Sequence, residues 1–116
     1  MARGFDEREK GFEAKYRHDQ EIQFKIGARR NKLLGLWVAE QMNLSGDAAE
    51  AYAKEVIIAD FEEAGDADVV RKVLADLAAK SVEVTEPGLR KEMDRLTGIA
   101  REQILKEVGR DEPETT

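Results

Sequence analysis

The sequence predicts an all-α protein, a four-helix bundle preceded by a flexible or frayed N-terminal helical arm. Apolar residues recur at spacings of three and four in four separate stretches, the helical period. Turn-forming groups separate those stretches, and no segment alternates with the two-residue period of a strand or repeats internally. With 116 residues the chain is long enough for one domain with a core of its own. The expected organisation is an arm over 1–18, a bundle over 19–109 and a disordered tail over 110–116.

The arm is the first element. Phe5, Phe12 and Tyr16 fall within roughly 40° of one another on a helical wheel, an aromatic stripe. Asp6 with Lys10 and Glu13 with Arg17 are acid-first pairs at i, i+4, which support a helix, whereas Gly4 and Gly11 work against it. Short and thinly apolar, the arm is expected to be frayed alone and to become helical on a partner. From Asp19 to Met42 the helix should be firm, with Ile22, Ile26, Leu33, Trp37 and Leu44 inward and Lys25, Arg29 and Lys32 wet. This arc lies roughly 70° from the aromatic one, so the two faces do not share one partner.

Asn43-Leu44-Ser45-Gly46 ends that helix, and Ser45 is placed to cap the next. The second helix should run from Asp47 to Ala64 with Ala49, Ala53, Ile57, Phe61 and Ala64 inward and Tyr52, Val56 and Ala59 beside them. Gly65 is a left-handed stop. Asp66 would cap a third helix over Ala67–Lys80, buried through Val69, Val70, Val73, Leu74 and Leu77. Ser81–Val84 is a linker, and Thr85 followed by Glu86-Pro87 is a helix start. The fourth helix carries Leu89, Met93, Leu96, Ala100, Ile104 and Val108 inward and should stop at Gly109.

The absence of cysteine removes disulfides, thiolate metal sites and thiol nucleophiles, and suits a reducing cytosol. No signal peptide or membrane-length apolar run is visible, so a cytoplasmic protein without membrane insertion is expected. The formal charge is −6, and residues 45–116 carry eighteen of the twenty-five acids against ten of the nineteen bases. That balance disfavours binding to nucleic-acid phosphates.

A single histidine, His18, leaves too little for a Ser-His-Asp triad or for paired Glu-x-x-His di-iron ligands. Asp60, Glu62, Glu63, Asp66 and Asp68 do not meet the spacing of a calcium loop, which needs a glycine at its sixth position and a closing Glu. No phosphate-binding glycine loop exists. The expectation is a non-enzymatic interaction module with no catalytic residue, no metal site and no required cofactor. Its most suggestive polar cluster is Arg29, Arg30 and Lys32, which reads either as the wet side of a helix or as a holder of phosphate oxygens or an acidic surface.

Three stretches, Phe5–Asp19, Phe24–Trp37 with its run Ala-Arg-Arg-Asn-Lys-Leu-Leu-Gly-Leu-Trp, and Ala59–Asp68, resemble the zeta inhibitor subunit of the alpha-proteobacterial F-type ATP synthase. The resemblance covers nearly the whole chain and is weakest around Val84 and at the tail. It implies a four-helix protein, monomeric when free, whose N-terminal segment enters a catalytic α/β subunit interface of the synthase head as a helix and blocks ATP hydrolysis. The bundle stays outside, so the protein is peripheral to the membrane-bound enzyme; contact with the central stalk is left open. Carried onto this chain, Phe5, Phe12 and Tyr16 would fill apolar pockets, and Arg8, Glu9, Glu13, Lys15 and Arg17 would make charge-assisted contacts that set the register. The resemblance also implies, as a weak expectation, ATP or ADP binding on the bundle, for which the sequence itself offers Arg29, Arg30 and Lys32. The competing reading is a nucleotide-binding helical sensor whose arm is only a tether.

Overall fold

The computed structural model describes the backbone of residues 3–61 and 65–111, and the side chains of 17–61 and 65–109. Four helices follow one another: α1 Arg3–Gln41, α2 Gly46–Ala59, α3 Ala67–Ala79 and α4 Glu86–Asp111. α1 is a single unbroken helix, so the backbone of the expected arm continues directly into the bundle. Its flexibility when free, and the places of Phe5, Arg8, Glu9, Phe12, Glu13, Lys15 and Tyr16, fall outside the described side chains.

The bundle is organised around the C-terminal half of α1, which packs against both α2 and α4. Two buried faces result. One is the expected stripe: Ile26 is buried with Ala100 and Ile104 of α4, and Ile22, Leu33 and Val108 pack at its edge. The other holds Leu34, Val38, Ala39 and Met42, buried with Tyr52 and Val56 of α2, with α3's valines and Leu77, and with α4's Leu89, Met93 and Leu96. Trp37 and Leu44 are half-buried against this cluster. Helix α1 meets α2 at very short range, for a Cβ built on Gly35 would stand 2.5 Å from the Ala53 Cα and 3.0 Å from its Cβ. Only glycine permits that approach.

Two helices end in the same way. At the end of α1, Leu44 N–H donates to the Ala39 carbonyl at 2.8 Å and Asn43 N–H to Glu40 at 3.1 Å. At the end of α3, Val82 N–H donates to Leu77 at 2.9 Å and Ser81 N–H to Ala78 at 3.0 Å. Both are Schellman motifs, and their left-handed positions are filled by Asn43 (φ 61) and Ser81 (φ 60) in place of glycine. Leu44 and Val82, whose N–H groups close the two motifs, pack back onto the core.

Several sequence expectations are corrected. α2 ends at Ala59, not Ala64, and its buried face is Tyr52, Ala53, Val56 and Ala59. Phe61 is 64% exposed, contrary to its expected inward place. Ser45 stands at the start of α2 but makes no side-chain cap bond, and neither does Asp66 at the start of α3. Thr85 does cap: the Gly88 N–H donates to its Oγ1 at 3.1 Å. Gly109 does not stop α4, which continues to Asp111. An exposed glycine in a last turn costs only about 1 kcal/mol, too little to end a helix against the packing upstream.

Candidate partner-binding surface

Consecutive helical residues are about 100° apart, so the run Arg29-Arg30-Asn31-Lys32 cannot present a single face. Arg29 turns to α4, where its guanidinium donates to Gln103 Oε1 at 2.8 Å and to both Glu107 oxygens at 2.8 and 3.0 Å. Arg30, for which the sequence left open a wet helix side or an anion-holding role, is only 8% exposed, and its neighbour Asn31 1%. The Arg30 Nε donates to Asn31 Oδ1 at 2.7 Å, and its two terminal nitrogens donate to the Asp66 carboxylate at 2.6 and 3.3 Å. This explains why Asp66 does not cap α3, its oxygens being turned to Arg30. The hydrogen bonds from Arg30 hold the Asp66 carboxyl below its ordinary range, against a smaller opposing effect of burial. Of the three cations proposed from sequence, Arg29 and Lys32 line one open groove of about 370 Å³ together with Lys25 and Phe24, and Arg30 does not reach it.

A second polar cluster joins α2 to α3. The Tyr52 hydroxyl donates to Asp76 Oδ2 at 2.8 Å, and Lys72 donates to the same oxygen at 3.0 Å with its ammonium 5.3 Å from the Tyr52 ring centre. Burial first, and the Asp76 carboxylate second, push the Tyr52 phenol far above its ordinary value. The partners of these groups are internal, and the cluster acts as a tie between helices.

The N-terminal side of the bundle is different. Arg17, His18, Asp19, Gln20 and Glu21 are all exposed, and the first of the described side chains to reach the core is half-buried Ile22. Arg17, the one described member of the arm's expected contact set, lines a shallow depression with Gln20, Glu21, Phe24 and Lys25. Phe24 is 61% exposed, and its ring lies 6.0 Å from that of Phe61 at a 32° tilt, so two large aromatic side chains from α1 and the turn after α2 share a surface. Sequence reasoning missed this pair. Its one trace in the sequence was that Phe24 falls off the Ile22/Ile26 stripe, whereas Phe61 lay on the face expected to be inward.

Among the described residues no group of three or more His, Asp or Glu could hold a metal ion, and no helix is long and apolar enough to cross a membrane. Asp68, part of the acidic run near the start of α3, is paired with Arg71.

A protein solved by NMR in solution is 53% identical to this chain, covers 74% of it and 98% of its own length, and superposes with a TM-score of 0.67. No curated protein matches the chain. The family model described as ATPase inhibitor subunit zeta matches residues 1–103. The chain therefore belongs to the ATPase inhibitor zeta family, regulatory and non-catalytic subunits of the ATP synthase.

Proposed function

We propose that this chain inhibits ATP hydrolysis by the catalytic head of the F-type ATP synthase by inserting residues 1–18 at a catalytic α/β subunit interface. The observation that carries the reading, beyond family membership, is that α1 starts at Arg3 while its first half-buried described side chain is Ile22. A helix rooted in a packed bundle can present a long N-terminal length to a partner and resist being pulled free. In this reading Phe5, Phe12 and Tyr16 fill apolar pockets, and Arg8, Glu9, Glu13, Lys15 and Arg17 fix the register by charge-assisted bonds. The bundle remains outside, on a head that is peripheral to the membrane on the cytoplasmic side. Titrating the full chain and a chain lacking residues 1–18 into purified head tests it. The full chain should slow hydrolysis and the shortened one should not; equal inhibition by the two would refute it.

A second reading is supported by the groove that holds Lys25, Arg29 and Lys32 beside the Phe24 ring. Lys25, Lys32 and an aromatic face suit a weakly bound ATP or ADP; of the two arginines named from sequence, Arg29 is bonded to Glu107 in the same groove and would have to exchange that carboxylate for phosphate, and Arg30 is committed to Asp66. Backbone amide shifts around Arg29 and Lys32 on addition of either nucleotide would support this reading, and their absence would remove it.

A further inference from the structure

The largest exposed apolar side chains include Phe24 and Phe61, and these two are in contact. Phe24 stands on the side of α1 away from buried Ile26, and Phe61 lies past the end of α2, beyond half-buried Ile57. The pair is held at the surface, in front of the point where α1 leaves the bundle. Phe24 lies six residues beyond the proposed inserted segment, about 9 Å along the same helix. On one side of Phe24 the rim carries Arg17, Lys25 and Glu21, and the cleft that both rings line carries Asp60, so the border of the pair is of mixed charge.

We propose that the Phe24–Phe61 pair is a second docking surface, which seats on the outer rim of the ATP synthase head at the mouth of the interface that receives the arm. The inference rests on the arm-insertion reading and extends it to the bundle. The surface it fits is an apolar depression with carboxylates facing Arg17 and Lys25 on one side and a cation facing Asp60 on the other. The head is the occupant that the placement favours, because a helix whose N-terminal length enters the interface brings its next turns, and Phe24 with them, to the rim of that interface. Because α1 is continuous, one rigid helix carries both contacts, and the patch sets how deep the arm can travel.

The test compares three full-length proteins in ATP hydrolysis by purified head: wild type, Phe24→Ser/Phe61→Ser, and Phe12→Ser/Tyr16→Ser. Both patch residues are mostly exposed, so the patch variant should keep the wild-type circular dichroism spectrum and melting temperature. Its half-inhibitory concentration should rise about tenfold or more, as for loss of an aromatic anchor, with full inhibition still reached at saturation. The arm variant should lose inhibition at saturation. An unchanged half-inhibitory concentration for the patch variant overturns the docking surface and leaves the arm reading standing. Full inhibition by the arm variant, with weakened inhibition by the patch variant, overturns arm insertion and keeps the surface. Sedimentation of wild type as a dimer that Phe24→Ser/Phe61→Ser makes monomeric, or nucleotide-induced amide shifts lost only in that variant, reassigns the patch and overturns the proposal.

Discussion

Replacing Gly35 by alanine tests the α1–α2 packing most directly, because the same chemical change elsewhere in α1 should have the opposite sign. Alanine in place of an interior helical glycine is worth about 1 kcal/mol in helix propensity. At Gly27 a new Cβ would meet nothing within 4 Å, so Gly27→Ala should keep that gain. At Gly35 the Cβ would stand 2.5 Å from the Ala53 Cα, a backbone atom that no rotamer change can remove. Ordinary carbon contact begins near 3.5 Å, so α2 must retreat by about 1 Å and loosen the Val38, Tyr52 and Val56 contacts beside it. Overpacking of this kind costs about 1–3 kcal/mol, and with backbone as the obstacle the upper end applies, leaving about 2 kcal/mol net destabilisation. For a chain of this size each kcal/mol moves the midpoint by about 4 °C, so thermal unfolding followed by circular dichroism should show Gly35→Ala about 8 °C below wild type and Gly27→Ala about 4 °C above. Ala53→Gly should not rescue Gly35→Ala, because the closer obstacle is the Cα. A Gly35→Ala protein as stable as Gly27→Ala would refute the close approach and the argument built on it.

Three other outcomes follow from named bonds. Thr85→Ala should lose about 1 kcal/mol in urea unfolding through the lost cap on Gly88, whereas Ser45→Ala, which removes no cap bond, should lose at most a few tenths. Tyr52→Phe should cost about 1–2 kcal/mol at neutral pH by removing a bond to a carboxylate. The folded phenol sits above the ordinary value of 10.0, so its stabilisation is complete below that value and lost as pH rises past it; the alkaline fall in stability should be shallower in Tyr52→Phe. Asp66→Asn should cost about 2 kcal/mol near neutrality, set by the stranded and largely buried Arg30 and not by the partly wetted carboxylate. The folded Asp66 lies below its ordinary 3.8, so its contribution is present above that value and lost as pH falls through the lower folded one; the gap between variant and wild type should close in acid.

How legible each part was depends on how many partners an element has. α3 and α4 bury one stripe each, and Val69, Val70, Val73 and Leu77 together with Leu89, Met93, Leu96, Ala100 and Ile104 are buried as their spacing predicts. α1 serves two neighbours. Its α4-facing stripe is apolar and readable, but the other face includes Arg30, Asn31 and Gly35, whose burial comes from Asp66 and Ala53, residues remote in sequence. α2 was misread by part of a turn because its many alanines mark no direction; Tyr52 and Val56 decide the face through contacts on α1 and α3. At the candidate surface, the cations were visible but not their division between Glu107 and Asp66, and the Phe24–Phe61 pair arises only when α2 ends early enough to turn Phe61 outward.

The Arg30–Asp66 bond has one further consequence, concerning length. It pins a fixed point of the long rod to the turn ahead of α3, and sliding the rod by one helical turn, about 5.4 Å, would part that bond and bury a charge without its counter-ion. The stretch of helix ahead of Ile22 is therefore of set extent, a gauge whose zero mark is an ion pair.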